Sequence, residues 1–387
     1  MIVSKPLRAL LLPMFGAFLT LILTENSVLA QNLETKAPHA FLIDVDTDTV
    51  LFEKQSDIPM PPASMSKLMT VYMVLEKLKA GKLSLNDRFV VSEKAWRKGG
   101  SKMFVRVNKR VSVRELLKGI IIQSGNDACI VIAEGLAGSE DIFSDEMTKK
   151  AKEIGLKNSV FLNSTGWPAD GHFMSARDLA LLAKKIISDF PEYYPMFAEK
   201  TFTFSKIKQG NRNPLLYRNI GADGLKTGHT EASGYGLVAS TIRKGRRLIL
   251  VVNGLASARE RASESARLLD WGYRETKTYK LFEKESIVSN ADVWLGDEPV
   301  VPLVIDNEVA ITMSRSARKA MKAKIIFNNP VAAPIKKGDN LGHVIITGVG
   351  PEDLKIPVSA GRTVNRLGYI GRITSAAKYL LFGKLGS

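Results

Sequence analysis

Serine followed three residues later by lysine occurs four times in this chain of 387 residues, at Ser64, Ser205, Ser316 and Ser375. Such a pair can act as nucleophile and base when a helix holds it, because residues three apart share one face with Cβ atoms about 5–6 Å apart. Only Ser64 opens a strong apolar-periodic segment, which runs to Leu78 behind Pro61-Pro62 and ends near Ala80-Gly81. Proline near the start and glycine past the end mark a helix. The Lys67 amine then reaches the Ser64 hydroxyl, and the partial positive charge of a helix N-terminus disfavours a charged amine. A neutral lysine can take a proton from serine, which a protonated one cannot. The alternative is that Ser64 merely starts the helix and Lys67 is an ordinary surface lysine.

Two further clusters bear on the choice. Ser124-Gly125-Asn126 interrupts an apolar helical run, where polar side chains are costly unless used. Lys226-Thr227-Gly228 precedes a pair of β-rich runs; a glycine there admits a substrate backbone, and a cation beside a hydroxyl suits a carboxylate. Ser-x-Asn recurs at Ser84-Leu85-Asn86, whereas Lys-Thr-Gly occurs once. His39, His172, His229 and His343 form no H-E-x-x-H, the single cysteine is Cys129, and no nucleotide loop or G-x-S-x-G elbow is present. Zinc, nucleotide and ordinary triad chemistry therefore lack support, and no metal or cofactor is expected.

The elements that must position these groups can be read from pattern. His39–Asp46 predicts a strand; Val113–Ala137 and Ser175–Ile187 predict helices; Tyr235–Thr241 and Arg247–Asn253 predict a hairpin around Lys244-Gly245; Ser263–Tyr273 predicts a last helix. From 280 to 360 short β-type runs alternate with turns: Ala291–Leu295, Val300–Ile305, Val309–Met313, Lys322–Phe327, Val344–Thr347 and Leu354–Val358. That is the pattern of a small all-β domain. On a helical wheel, Arg366–Leu385 gathers Tyr369, Ile370, Ile373, Ala377, Leu380 and Leu381 on one side, with Arg372 and Lys378 at its edges. This fits a helix lying in a membrane interface; a helix packed on the protein itself is the alternative.

At the other end, Lys5 and Arg8 precede an apolar run from Ala9 to Leu23, and Val28-Leu29-Ala30 ends it with small residues. The run is shorter than the roughly 20 residues of a spanning helix, so it reads as an export leader, with the mature chain starting at Gln31. The division expected is 1–30 leader, 31–275 catalytic domain, 276–360 β-rich domain and 361–387 amphipathic helix. Apolar residues at 45% and charged residues at 24% are ordinary for a globular protein. The net charge of +16 points, in an exported chain, to anionic lipid or an acidic wall polymer rather than nucleic acid.

Ser-x-x-Lys, Ser-x-Asn and Lys-Thr-Gly, in that order, are the signature of penicillin-binding proteins and class A β-lactamases. The longer stretches Pro62-Ala-Ser-Met-Ser-Lys-Leu-Met-Thr70, Gln123-Ser-Gly-Asn-Asp-Ala-Cys129, Ser175-Ala-Arg-Asp178 and Asp223-Gly-Leu-Lys-Thr-Gly-His-Thr230 make the chain resemble the low-molecular-mass penicillin-binding proteins that are D-alanyl-D-alanine carboxypeptidases. The resemblance covers nearly the whole mature chain. It implies an α/β transpeptidase-like domain with a central antiparallel sheet flanked by helices, a small all-β domain and a C-terminal amphipathic helix. It implies cleavage of the terminal D-alanine from peptidoglycan stem peptides at the outer, periplasmic face of a bacterial cytoplasmic membrane, with anionic lipids met by the C-terminal helix. Carried over by residue, Ser64 is the nucleophile, Lys67 its base and Ser124 a proton relay. Asn126 holds the substrate amide, Lys226 and Thr227 of the Lys226-Thr227-Gly228 motif meet the terminal carboxylate, and the backbone N–H groups of Ser64 and His229 form the oxyanion hole. Arg212 and Arg261 match basic positions lining the family's site. β-Lactams are expected to acylate Ser64. The E-x-x-L-N segment of class A β-lactamases is absent: Glu153-Ile-Gly-Leu-Lys157 ends in lysine, and Asn163-Ser-Thr-Gly-Trp-Pro168 carries no carboxylate, so bound drug should clear slowly. An endopeptidase acting on cross-links, or a silent wall-binding protein, are the competing readings.

Overall fold

The computed structural model describes residues 33–349 and 353–382. The expected leader, 1–30, lies outside the described residues, as does the end of the expected anchor beyond 382.

A five-stranded antiparallel sheet organises the larger part. Its order is Val50–Lys54, His39–Asp44, Arg246–Leu255, Gly234–Arg243 and Ala222–Thr230. Arg246–Leu255 and Gly234–Arg243 each bury six consecutive residues, which an alternating strand does only when both sheet faces are covered. Ile249, Val251 and Val238 join a core built with the helices Lys67–Lys79, Val113–Gln123, Asn126–Ala137 and Ala176–Asp189. On the other face Leu248 meets Gly272 of the helix Ala258–Glu275, where an added Cβ would stand 2.8 Å from the leucine.

Three local features differ from the sequence expectation. The segment at Ser64 begins as a tight 3₁₀ turn, Ala63–Ser66, and turns α-helical only at Lys67. Ser66 Oγ donates back to the Ala63 carbonyl at 3.1 Å, and Ala63 itself has φ +48°. Lys226-Thr227-Gly228 does not precede the sheet but lies inside its edge strand, Ala222–Thr230. Asp, Gly, Lys and His give that strand no apolar alternation, so nothing in its composition announced it. The helix Glu140–Glu153 was also not foreseen; it is strongly polar and buries only a stripe containing Phe143, Met147 and Ala151 at four-residue spacing.

From Thr276 onward the chain is β-rich. Six strands run in the order Lys322–Phe327, Asn340–Thr347, Leu354–Ala360, Val300–Ile305, Ser286–Trp294 and Val331–Ala332, beside a pair formed by Thr276–Phe282 and Val309–Ser314. They enclose a separate core that includes Val301, Leu303, Ile346 and Val358. A fully buried carboxylate joins the two parts: Asp44 accepts from Arg246 Nε at 2.5 Å and from Thr312 Oγ1 at 3.0 Å, while Arg246 Nη2 donates to Thr276 Oγ1 at 2.7 Å. The helix Tyr369–Phe382 follows, with Tyr369, Ile370 and Ile373 at least 70% exposed. Among the described residues no helix is long and apolar enough to cross a membrane.

Candidate active site

Lys67 is fully buried on the first turn of its helix. Its Nζ lies 2.9 Å from Ser64 Oγ and donates to the Thr165 carbonyl. Burial is the main reason its pKa falls to about 8, with the charges of Arg212 and Lys98 pushing the same way. The surface-lysine alternative is thereby excluded. The other three Ser-x-x-Lys matches are not comparable: Ser205 sits in the turn of the Thr201–Phe204/Ile207–Gly210 hairpin, Ser316 in the short helix Arg315–Ala320 and Ser375 in the terminal helix.

Ser124 ends the Val113–Gln123 helix in the left-handed conformation, φ +61°. That turn breaks the apolar run and presents the hydroxyl to Lys226, whose Nζ donates to Ser124 Oγ at 2.9 Å and to the Thr227 carbonyl at 3.0 Å. Lys226 is also buried, and its pKa is driven well down, first by desolvation and then by Lys67, Arg212 and Arg261. Asn126 opens the next helix; its Nδ2 donates to the Gly99 carbonyl at 2.9 Å and its backbone N–H to the Ser101 carbonyl at 2.7 Å.

Gly228 has a different neighbour from the one its sequence context suggested. An added Cβ would meet the Pro62 carbonyl at 2.9 Å and Met65 Cγ at 3.0 Å, so this glycine lets the edge strand close onto the turn that carries Ser64. His229 is exposed on the same strand, its ring 3.9 Å from that of Tyr235. Arg212 donates to Ser101 Oγ at 2.5 Å. Arg261 lies over Tyr235 at 5.6 Å, and its Nε has no protein partner among the described residues. Desolvation lowers the pKa of both guanidiniums. A cleft of about 630 Å³ runs past these elements, lined by Ser64, Ser101, Asn126, Trp167, His229 and Glu231 among others.

Sequence reading missed several residues that hold the site. Asp127 accepts from the backbone N–H groups of Met103, Phe104 and Val105 at 2.9–3.2 Å, fixing the segment that faces Asn126. Its signal was its place directly after Asn126 on a helix start. Thr165 acts through a backbone carbonyl, which no residue type reveals. Gly166, at φ +72°, lies where a Cβ would stand 2.0 Å from the Ala63 carbonyl.

The family described as D-alanyl-D-alanine carboxypeptidase matches residues 25–257. This chain belongs to that family. The C-terminal domain of penicillin-binding protein 5 matches residues 277–366. The carboxypeptidase family relative D-alanyl-D-alanine carboxypeptidase DacC of Escherichia coli is 39% identical over 92% of this chain and 90% of its own length. The crystal structure of penicillin-binding protein 5 from Haemophilus influenzae superposes with a TM-score of 0.76 at 36% identity, covering 86% of this chain and 99% of that one. Penicillin-binding protein D2 of Listeria monocytogenes in its ampicillin-bound form matches 63% of this chain and 99% of its own, at TM-score 0.58 and 32% identity. The expected transpeptidase-like domain with an appended β domain is thus borne out.

Gly166→Ala should force the 163–168 loop off the Ser64 turn. We expect a stability loss on the order of 2 kcal/mol in urea titrations, accompanied by at least tenfold slower labelling by fluorescent penicillin. Wild-type labelling would show that the loop does not set the Lys67 environment.

Proposed function

We propose that this chain is a serine D-alanyl-D-alanine carboxypeptidase that trims peptidoglycan stem peptides. The observation that carries it is the buried Lys67 amine, 2.9 Å from Ser64 Oγ and depressed to about 8. Ser64 Oγ attacks the carbonyl carbon between the two D-alanines as its proton passes to Lys67 Nζ. The carbonyl oxygen gains charge facing the N–H groups of Ser64 and His229. Ser124 relays a proton to the leaving nitrogen, the C–N bond breaks and D-alanine departs. Water then attacks the Ser64 ester, giving the shortened peptide and free Ser64.

Asn126 holds the amide of the acyl half. Lys226 and Thr227, on the edge strand that Gly228 seats, take the terminal carboxylate, with Arg212 and Arg261 adding positive potential. The pKa of Lys226 is lowered first by desolvation and then by neighbouring cations, and an arriving carboxylate would oppose that shift. β-Lactams acylate the same serine, in keeping with the ampicillin-bound relative, and are released slowly because Thr165 offers Lys67 a carbonyl and no carboxylate.

For location, residues 1–30 act as an export leader, 31–275 as the catalytic domain, 276–360 as the β-rich domain and 361–387 as a segment that meets anionic lipid at the periplasmic membrane face; its helix begins at Tyr369 rather than at 361, because Val364 and Arg366 still bridge to Ile335 and Gly296. The exposed Tyr369, Ile370 and Ile373 support the last assignment.

Wild-type protein should release D-alanine from a pentapeptide stem and bind fluorescent penicillin. Ser64→Ala should do neither, and labelling of that variant would falsify the nucleophile assignment. Because the base must be unprotonated, the acylation rate should climb as pH rises through about 8 and level off above it; a profile flat from pH ~6 to ~10 would point to another base. Removing 361–387 should move the protein from membrane to soluble fractions while small-peptide turnover persists; retention on membranes would mean another anchor.

A further inference from the structure

A second group of cations lies outside the cleft, on the segment that leads into it. From Arg88 to Arg110 the sequence holds eight lysines and arginines against one acid, Glu93. The two ends of this segment pair as a short antiparallel ribbon, Arg88–Val90 with Arg110–Ser112. Phe89 and Val111 stand opposite each other and turn inward: Val111 is buried, and a Cβ on Gly135 would lie 2.4 Å from the Phe89 ring. Alternation then puts Arg88, Val90 and Arg110 on the outer face, where Val90 is 51% exposed.

Arg88 Nη1 donates to the Arg110 carbonyl at 3.2 Å, and Arg110 Nη2 to the Arg88 carbonyl at 3.0 Å. The two guanidiniums are thereby laid across the ribbon with N–H groups to spare. The turn beside it adds Arg106 and Lys109, both exposed, with the Lys109 N–H donating to the Arg106 carbonyl at 3.2 Å. The ion pairs of the segment are Lys94 with Glu140 and Arg97 with Glu93. Among the described residues Arg88, Arg106, Lys109 and Arg110 have no carboxylate partner. None of the four is among the principal charges acting on Lys67, which are those of Cys129, Arg212, Lys98 and Asp127.

This surface is continuous with the site. Ser101 lines the cleft, and Asp127 holds the amides of Met103, Phe104 and Val105. The five residues from Ser101 to Arg106 span at most ~18 Å. An uncross-linked stem peptide ends in a free carboxylate, and hydrolysis of its last D-alanine leaves a new one. A polymer with one stem in the cleft therefore brings further carboxylates alongside.

We propose that the ribbon and its turn are an exosite that holds the carboxylates of stems neighbouring, on the same polymer, the stem in the cleft. Exposed guanidiniums fixed in place suit discrete carboxylates, and a second point of attachment raises the local concentration of the remaining stems. This rests on the carboxypeptidase reading and adds a preference for polymer over free peptide.

The test measures D-alanine release, per stem, from uncross-linked peptidoglycan strands bearing pentapeptides and from the free pentapeptide. Wild type should favour the strands about tenfold in kcat/KM at low salt, and the advantage should vanish by ~0.5 M salt. The double variant Arg106→Gln/Lys109→Gln should lose most of the advantage and turn over the free pentapeptide within about twofold of wild type; Arg106→Lys/Lys109→Arg should keep the advantage. Equal efficiency on both substrates in the wild type at low salt, or an undiminished advantage in the glutamine variant, would overturn the exosite and leave the carboxypeptidase reading intact. Loss of binding to phosphatidylglycerol vesicles by the glutamine variant, with the polymer advantage kept, would make the surface a lipid contact and overturn the proposal. Release from neither substrate by the wild type would overturn both readings.

Discussion

Lys67 is enclosed on all sides, and its polar contacts are Ser64 Oγ and the Thr165 carbonyl. Holding a full charge there costs several kcal/mol, which is why the amine yields its proton so readily. That condition depends on everything around it staying put. Cys129, buried beneath, has its thiol pushed up to about 12 by desolvation, so it stays neutral and contributes no anion. The loop above is tied to itself by Asn163 Oδ1, which accepts from Thr165 N, Thr165 Oγ1 and Trp167 N, and to the helix by Thr70 Oγ1 donating to the Ser164 carbonyl at 2.7 Å. Gly166 lets this loop touch the Ser64 turn and Gly228 lets the edge strand do so from the other side. The helix, the loop and the strand meet at one serine because two positions lack a side chain.

The same neighbourhood is over-supplied with positive charge. Desolvation comes first in lowering Lys67, Lys226, Arg212 and Arg261, the charge of Arg212 also depresses the other three, and Lys67 and Lys226 have no carboxylate among their hydrogen-bond partners. Acids do occur close by, but they are committed to structure. Asp127 is saturated by the amides of 103–105, and Glu140 by Ser164 and Lys94. A cleft whose cations lack anions binds substrate as the missing counter-charge, and the gain is largest where water is excluded. On the proposed reading, a substrate carboxylate at Lys226 would favour its charged form and change the field at Ser124.

What the sequence made legible follows from which physics leaves a mark in residue types. The apolar period from Ser64 to Leu78 and the runs Tyr235–Thr241 and Arg247–Asn253 announce buried elements, because burial selects apolar side chains. Ser64, Lys67, Ser124 and Asn126 were legible because polar groups inside apolar patterns are conspicuous, and Lys226 because Lys-Thr-Gly occurs once and follows the other two motifs in order. The edge strand Ala222–Thr230 was not, since its burial comes from packing against the Ser64 turn and its residues serve chemistry rather than the sheet. The helix Glu140–Glu153 escaped because a narrow apolar stripe in a charged segment reads as loop. Thr165 and the 3₁₀ start at Ala63 escaped for a simpler reason: both act through the backbone, and Ala63 at φ +48° is a residue type that gives no warning of it.

The composition of the 163–168 loop bears on how an acyl-enzyme would clear. A carboxylate in place of the Thr165 carbonyl would pair with Lys67, raise its pKa and cost the site its base for acylation. With a carbonyl there, the amine stays neutral enough to activate Ser64, and the same amine must then activate the water. For a peptide this suffices, because the departing D-alanine takes the relayed proton with it and vacates space beside the ester. An opened β-lactam keeps its amine tethered to the acyl group, so the position water needs stays filled. On the proposed mechanism, the arrangement that makes Lys67 a base for attack on a peptide would also leave a β-lactam acyl-enzyme slow to clear.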